Sequence, residues 1–156
     1  MERLQLSQKD FIHQIATIHE TELARQYDNY TCTSLSKALR IEMIEHGLKY
    51  NDDRIFIETN EQNEMKGFIW ARYIPNERKA LIEILFVHEM FRQQHIGSSL
   101  KKAVESWAIE QGAQSIEGTI AADNMVMQSL NLNRGYQINS VVMSKKLIIN
   151  NEDNNK

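Results

Sequence analysis

A short polar stretch, which follows an apolar segment and leads into a helical pattern, carries the residues best suited to bind an anion. It includes Arg92, Gly97 and Ser98. The first turn of a helix offers backbone N–H groups without intrahelical partners at the positive end of the helix dipole, where phosphate binds readily. Arg92 adds a fixed positive charge, Ser98 adds a hydroxyl donor, and Gly97 allows the backbone to approach an anion closely. An ordinary strand-turn-helix connection, in which the glycine only fits a tight bend, accounts for the same pattern.

Two ionisable residues accompany the apolar segment and are candidates for proton transfer. Glu83 is the only charged residue between Leu81 and Val87, and burial there would raise the pKa of its carboxyl, which suits a base near neutrality. Regular strand alternation directs Glu83 to the same face as Leu85 and Val87. His88 is the second candidate, with an exposed loop histidine as its alternative. Glu83 has a structural alternative too, as the partner of a cation on a neighbouring strand: Arg54, Arg72 or Lys79.

The elements that hold these residues follow from hydrophobic periodicity. The run 81–87 is nearly continuous in apolar, β-branched and aromatic side chains, which predicts a strand buried on both faces. Leu100, Val104 and Trp107 then recur at helical spacing, and Gly112 marks the end of that helix. We therefore expect a buried strand that runs through a tight polar turn into the N-terminus of an amphipathic helix.

The remainder of the chain alternates helical and extended patterns. Two amphipathic helices come first, and two strand candidates then lead to the central strand through a turn at Pro75. These strands predict an antiparallel meander ahead of the central strand. The predicted helices cover about 8–26, 35–48 and 125–133, and the predicted strands cover 1–6, 54–59, 65–74, 115–121 and a final pair between 136 and 148.

Length and composition restrict the class of protein. The 156 residues suffice for one domain, 1–149, followed by a polar tail, 150–156, which we expect to be disordered. A net charge of −3 gives no reason to expect nucleic acid or a membrane as a partner. The single cysteine, Cys32, cannot form an internal disulfide, and the sequence has neither a signal-peptide pattern nor an apolar run that could span a bilayer. We therefore expect a soluble cytoplasmic protein.

We expect no metal site either. The histidines outside the central stretch do not form a convincing ligand set with the lone cysteine. These histidines are His13, His19 and His46.

The stretch from Val87 to Leu100 resembles the acetyl-CoA-binding motif of the GNAT superfamily of N-acetyltransferases. In that motif Arg or Gln is followed by two residues, Gly, one residue, and Gly or Ala. The motif stands here as Arg92-Gln93-Gln94-His95-Ile96-Gly97, with His95 in place of the first glycine. If that position requires a positive φ, histidine costs more than glycine but is not excluded. Three downstream segments also resemble the family: Ile120-Ala121-Ala122-Asp123-Asn124, Asn133-Arg134-Gly135-Tyr136 and Met143-Ser144-Lys145-Lys146-Leu147.

The resemblance implies a GNAT-like α/β fold of the α+β type, with a mixed, mostly antiparallel sheet flanked by helices. In that fold the central strand and the strand after the central helix splay apart, and the pantetheine arm of acetyl-CoA binds between them like an added strand. By this resemblance, Phe86 and Val87 present main-chain groups to the pantetheine and the thioester. Asn124 supports the cofactor arm from the other strand or caps a helix, and both roles can coexist. The pyrophosphate is assigned to Arg92, Gln93, Gln94, His95, Ile96, Gly97 and Ser98.

The reaction implied by the resemblance is direct attack of a neutral amine on the acetyl thioester while both substrates are bound, with the oxyanion held by backbone N–H groups. An alkyl amine is mostly protonated near pH 7, so a base is required, and Glu83 and His88 are the candidates. Asn131 stands where many members have a tyrosine beside the CoA sulfur. Asparagine cannot release a proton, but a thiol with a pKa of about 8.5 is a fair leaving group as its thiolate. Asn131 can still hydrogen-bond the sulfur or the carbonyl.

The implied acceptor is a primary amine of a small molecule. A protein N-terminus or a lysine side chain is the alternative acceptor, and an acyl-CoA-binding module without efficient catalysis is the alternative function. Dimerisation is common in the family, so a homodimer is a further expectation. Acidic residues on the first two helices could line a cleft for a cationic amine, although we prefer to interpret them as a solvated helix face. They are Glu20, Glu22, Asp28, Glu42 and Glu45.

Overall fold

The strands of the chain form one sheet whose spatial order follows their order in sequence. A computed structural model describes residues 1–50 and 52–148, in two compact units of which the first is Met1–Ala122 and the second begins at Asp123. The strands of the first unit are β1 (Glu2–Arg3), β2 (Asp53–Thr59), β3 (Met65–Ile74), β4 (Lys79–Val87) and β5 (Ser115–Gly118). Strands β1 to β4 pair as antiparallel neighbours, and β5 lies parallel to β4. The predicted mixed, mostly antiparallel sheet is confirmed.

Helices cover both faces of this sheet. Helices α1 (Lys9–Gln26) and α2 (Ser34–Lys49) pack on one face, and α3 (Ile96–Gln111) packs on the other. Thr33 begins α2 with a capping box, in which its side chain and that of Ser36 each accept a hydrogen bond from the other residue's backbone N–H. None of the helices within 1–50 and 52–148 is long and apolar enough to cross a bilayer.

Strand β3 divides the interior into two apolar cores. Phe68 and Trp70 lie with α1 and α2, whereas Ile69 and Ala71 lie with α3. This is the alternation expected of a strand covered on both faces. All four side chains are fully buried, and each large one contributes roughly 1.5–3 kcal/mol through the hydrophobic effect. The strand therefore anchors both layers of helices.

Strand β4 carries one extra residue and then parts from β5. Trp70 pairs with Ile84 and Ala71 pairs with Ile82, so Glu83 is a β-bulge residue without a partner on β3. Strand β5 pairs with β4 only from Lys79 to Ile82. Beyond Ile82, no strand in the described part of the chain pairs with β4 on that side. The predicted splay of the two central strands is therefore confirmed.

The open side of β4 also corrects the prediction that this strand is buried on both faces. Ala80 is its only fully buried residue, and the residues from Leu81 to Val87 are half-buried. Continuous apolar runs are typical of strands that are covered on both faces. Here β5 covers only the first part of β4, so the second part stays accessible.

The second unit begins with a short helix, α4 (Met125–Asn133). The Asn124 side chain accepts a hydrogen bond from the Met127 N–H at 3.1 Å, so the predicted capping role of Asn124 is confirmed. Gly135, with φ +88, follows the helix and brings the Tyr136 N–H to the Asn131 carbonyl and its own N–H to the Leu132 carbonyl. These two bonds form a Schellman motif, which explains the glycine.

The predicted final strand pair between 136 and 148 is wrong. These residues form no strand in the described structure, and their large apolar side chains are exposed. Strand propensity is realised only when a partner edge accepts the backbone hydrogen bonds. The predicted end of the domain at 149 and the predicted tail, 150–156, lie outside the described residues, and the single domain stays a prediction. The exposed side chains are Ile138, Val141, Val142, Met143, Leu147 and Ile148.

Candidate active site

The connection from β4 to α3 exposes the N-terminal amides of that helix. Gln93 has φ +62, and His95, the residue that begins α3, has φ +61. The position where the family motif has its first glycine therefore does adopt a positive φ, which costs a residue other than glycine roughly 1–2 kcal/mol. Ser99 makes the first helical hydrogen bond, to the His95 carbonyl. The amides of 96–98 therefore precede the intrahelical ladder and are available to an anion.

Arg92 stands at the start of this connection, and its side chain is exposed. Its Nε donates a hydrogen bond to the carbonyl oxygen of Val87 at 3.1 Å. The guanidinium therefore bridges the turn between the end of β4 and the residues that lead into α3. A planar guanidinium has five N–H donors, so the bond through Nε leaves the terminal nitrogens able to engage an anion.

The pairing of β3 and β4 determines which backbone groups face the open edge. The His88 N–H donates to the Lys66 carbonyl at 2.9 Å, and hydrogen-bonded positions alternate along an antiparallel pair. Phe86, opposite Phe68, therefore directs its main chain to β3. Its predicted contact with pantetheine must be corrected, because Leu85 and Val87 are the residues whose N–H and C=O groups point to the open edge.

Glu83 faces α1 and α2, not α3. Leu85 and Val87 pack in the core that includes α3. Glu83, in contrast, shares a bulge with Ile84 opposite Trp70, and its closest cation is Arg72, with Nη1 4.0 Å from its Oε1. The prediction that Glu83 shares a face with Leu85 and Val87 is wrong, because the bulge breaks the regular alternation.

The environment of Glu83 suits a base and places one cation near it. Burial raises the pKa of its carboxyl, Arg72 and Arg40 lower it, Asp53 raises it, and the net pKa is raised. Of the three cations suggested by sequence, Arg72 is the one nearby. The Lys79 ammonium pairs with Glu77 and Glu117, and the Arg54 guanidinium lies over the ring of Trp107.

His88 borders an open cleft at the end of β4. Its ring is half-buried and meets the Phe86 ring edge-on, with centroids 4.9 Å apart, so the alternative of an exposed loop histidine is wrong. The cleft has a volume of about 360 Å³, and its other lining residues come from α1. Sequence reasoning missed those residues, since exposed positions on an amphipathic helix carry no signal of a cleft. They are His13, Gln14, Thr17 and Ile18.

One of the acidic residues interpreted as solvated is buried. Glu20 is 0% exposed, and its carboxylate accepts hydrogen bonds from the Tyr30 hydroxyl at 2.6 and 2.7 Å and from Arg40 Nε at 3.2 Å. Burial alone would raise the pKa of Glu20, but its hydrogen bonds and Arg40 lower it overall. Helical spacing could have indicated this burial, because Glu20 follows Ala16 by four residues and Ile12 by eight, on the same helix face.

His19, next to Glu20, is also buried. Its side chain is 6% exposed, and its ring meets that of Trp70 edge-on at 5.4 Å. Burial and the Arg40 charge lower the pKa of His19 to about 4, and Glu20 opposes them only in part. His19 is therefore neutral at physiological pH.

Asn124 and Asn131 belong to the second unit, so their roles at a thioester stay predictions. Asn131 is 8% exposed, and its amide oxygen has no hydrogen-bond partner among the described residues. Within 1–50 and 52–148, no group of histidine, cysteine and acidic side chains is arranged to hold a metal ion.

Comparison with known proteins identifies the family. A family model described as acetyltransferase (GNAT) family matches residues 15–136. The chain belongs to the GNAT family of acetyltransferases. The resemblance of the central motif to this family is thereby confirmed, and so is the GNAT-like fold. A search of curated proteins gave no match.

Solved GNAT structures agree with this assignment. A protein described as a GNAT family acetyltransferase from Staphylococcus aureus subsp. aureus is 40% identical, with a TM-score of 0.73, over 76% of this chain and 98% of that chain. An acetyl transferase from Pyrococcus furiosus is 22% identical, with a TM-score of 0.69, over 94% and 99%. AAC(6')-Iy, in complex with a bisubstrate analog, CoA-S-monomethyl-acetylneamine, is 14% identical, with a TM-score of 0.68, over 95% and 97%. The last two likenesses concern the fold alone.

Proposed function

We propose that this GNAT protein transfers an acetyl group from acetyl-CoA to a primary amine of a small molecule, with both substrates bound at once. One observation carries the proposal. The open edge of β4 runs directly into the unpaired N-terminus of α3, and a cleft lies beside His88 at the end of the same strand. Within the first unit, the edge of β4 suits an extended chain, the N-terminus of α3 suits an anion, and the cleft suits an acceptor.

The residues present fit acetyl-CoA. The pantetheine arm carries amide groups, which can add to the N–H and C=O of Leu85 and to the N–H of Val87 as an extra strand would, while the Val87 carbonyl is already bonded to Arg92. The diphosphate suits the amides of 96–98, the hydroxyl of Ser98 and the Arg92 guanidinium. Acetyl-CoA supplies the acetyl group as a thioester. Gln93, Gln94 and His95 are exposed in the turn that joins these two regions.

Proton removal from the amine is assigned to Glu83 or His88. The raised pKa of Glu83 brings its carboxylate nearer the operating pH, where a general base works best. His88 lines the cleft itself and offers a ring nitrogen directly to a bound molecule. Asn131 is proposed to hydrogen-bond near the sulfur, without acting as an acid.

The size of the cleft supports a small-molecule acceptor. Small-molecule sites usually have volumes of about 300–1,000 Å³, and the cleft beside His88, which is open to solvent, measures about 360 Å³. AAC(6')-Iy, which shares the fold, is known with a CoA–neamine conjugate. A lysine or N-terminal peptide remains the alternative acceptor, and an acyl-CoA-binding module remains the alternative function.

Calorimetric titration with acetyl-CoA tests the cofactor first. We expect the parent protein to bind and the Arg92→Ala, Gly97→Glu double variant to lose binding, because the new carboxylate repels the diphosphate. Release of free thiol from acetyl-CoA, measured with small amines, lysine peptides and N-terminal peptides in parallel, then identifies the acceptor. A parent protein that fails to bind acetyl-CoA would refute the proposal, and binding without turnover on the whole panel would favour the binding module.

A further inference from the structure

The buried carboxylate of Asp53, on β2, accepts hydrogen bonds from two side chains of β3. Asp53 is 2% exposed, and its Oδ2 accepts from Trp70 Nε1 at 2.8 Å. Arg72 donates to the same carboxylate in a fork, with Nε 2.8 Å from Oδ1 and Nη2 3.1 Å from Oδ2. Bidentate arginine–carboxylate pairs of this kind fix the geometry of both groups.

Helix α2 packs directly against this carboxylate. An ideal Cβ on Gly47 would come within 2.3 Å of Asp53 Oδ2, so only a glycine there leaves room for the carboxylate in its observed position. Asp53 is therefore confined from the helix side as well as bonded within the sheet.

Arg72 has one terminal nitrogen that Asp53 does not use, and this nitrogen points to Glu83. Arg72 Nη1 lies 4.0 Å from Glu83 Oε1, beyond hydrogen-bond distance. Glu83 thus has a cation near it without forming a close pair. The charged groups around Glu83 are Arg72 on β3, Asp53 on β2 and Arg40 on α2.

We infer that Asp53 is a positioning residue for Glu83. Its carboxylate holds the Arg72 guanidinium through two hydrogen bonds, and Arg72 therefore forms no close ion pair with Glu83. The inference rests on the proposed function with Glu83, of the two candidate bases, as the group that accepts the proton. A carboxylate in a close pair with arginine is a weaker base, since the cation favours its charged form. By retaining Arg72, Asp53 keeps Glu83 basic.

The experiment is a carbon-13 NMR titration of the Glu83 carboxyl, assigned by its loss in Glu83→Gln. In Asp53→Asn, the fork loses its charge and Arg72 is free to approach Glu83. We expect the proton affinity of Glu83 to fall about tenfold, as expected when a carboxylate gains a close cation. Trp70→Phe is the matched control, because it removes a buried hydrogen bond to Asp53 and keeps the fork, so the titration should not move.

Two further variants keep the inference testable. Gly47→Ala displaces the Asp53 carboxylate without removing it, so it should also lower the proton affinity of Glu83. This variant decides the question if Asp53→Asn does not fold. In an Arg72→Gln background, Asp53→Asn should have a smaller effect, because no cation is left to release. An unchanged titration in Asp53→Asn, or in Gly47→Ala where that variant decides, would overturn the inference. So would an equal effect of Asp53→Asn in both backgrounds.

Activity separates this inference from the proposed function. If the protein transfers acetyl groups with Glu83 as the base, kcat/KM rises with pH as Glu83 loses its proton, and in Asp53→Asn this rise should occur about one pH unit lower. If no amine is acetylated, the proposed function fails, and the NMR titration still decides the role of Asp53.

Discussion

The Arg92 guanidinium is hydrogen-bonded to the carbonyl of Val87, with Nε 3.1 Å from the oxygen. This contact joins the last residue of β4 to the turn that leads into α3. Because Nε alone makes the bond, Arg92 can be held by the turn and present its charge at the same time.

Arg92→Ala should therefore weaken acetyl-CoA binding about tenfold, the usual loss for a hydrogen bond to a charged group. Arg92→Lys should lose less affinity for acetyl-CoA, since lysine keeps the positive charge and lacks only the planar guanidinium with its several N–H donors. S-acetylpantetheine, which has no diphosphate, is the control ligand. Titration calorimetry should show the same affinity for it in all three proteins, and an equal loss for both ligands would mean that Arg92 acts on the turn alone.

His95 should accept glycine and reject valine. Glycine relieves the cost of φ +61 but increases the entropy of the unfolded chain by a similar amount, so His95→Gly should change stability by less than about 1 kcal/mol. Valine is β-branched and strongly disfavoured at positive φ, so His95→Val should cost about 2 kcal/mol. Urea denaturation measures both. Equal stability of the two variants would show that the turn adapts to the side chain.

Glu83 and His88 should differ in the kinetic constant that each controls. Glu83→Gln should lower kcat about a hundredfold, as is usual for loss of a general base. His88→Gln should mainly raise the KM of the amine, because His88 lines the cleft and Glu83 does not. Steady-state kinetics of both variants, with Glu117→Gln as an exposed control, test this difference. A large fall in kcat in His88→Gln, with only a change of KM in Glu83→Gln, would make His88 the base.

Stability should fall between pH 6.5 and 4 because of His19. The pKa of His19 is about 4 in the folded protein, against 6.5 ordinarily. Below pH 6.5 the unfolded chain therefore binds a proton that the folded protein does not, and folding loses about 3 kcal/mol by pH 4. Denaturation at several pH values should show this loss in the parent protein and a smaller one in His19→Gln. If stability falls equally steeply with pH in the parent protein and in His19→Gln, other groups cause the acid sensitivity.

Sequence alone could predict the elements on either side of the anion site. The apolar run 81–87 and the helical spacing of Leu100, Val104 and Trp107 each reflect local patterns that the structure retains. His95 was the clearest departure from the family motif, and its positive φ follows from that position in the turn.

Three features depended on which strands pair with each other and in which register, and local sequence patterns do not determine this. The bulge at Glu83 arises from pairing with β3, and it decides which face the carboxylate takes. The exchange of Phe86 for Leu85 at the open edge follows from the same register. The apolar residues around Val142 form no strand, because strand formation depends on an edge elsewhere in the molecule.

The bulge gives Glu83 an importance that does not depend on its carboxylate. Pairing between β4 and β5 ends at Ile82, immediately before the extra residue. A chain shortened by this one residue could keep the Ala71–Ile82 and Trp70–Ile84 pairs in an unbroken ladder. Substitution of Glu83 therefore removes a carboxylate, whereas its deletion would also straighten the strand, and we expect β5 to close over the edge that the bulge keeps open.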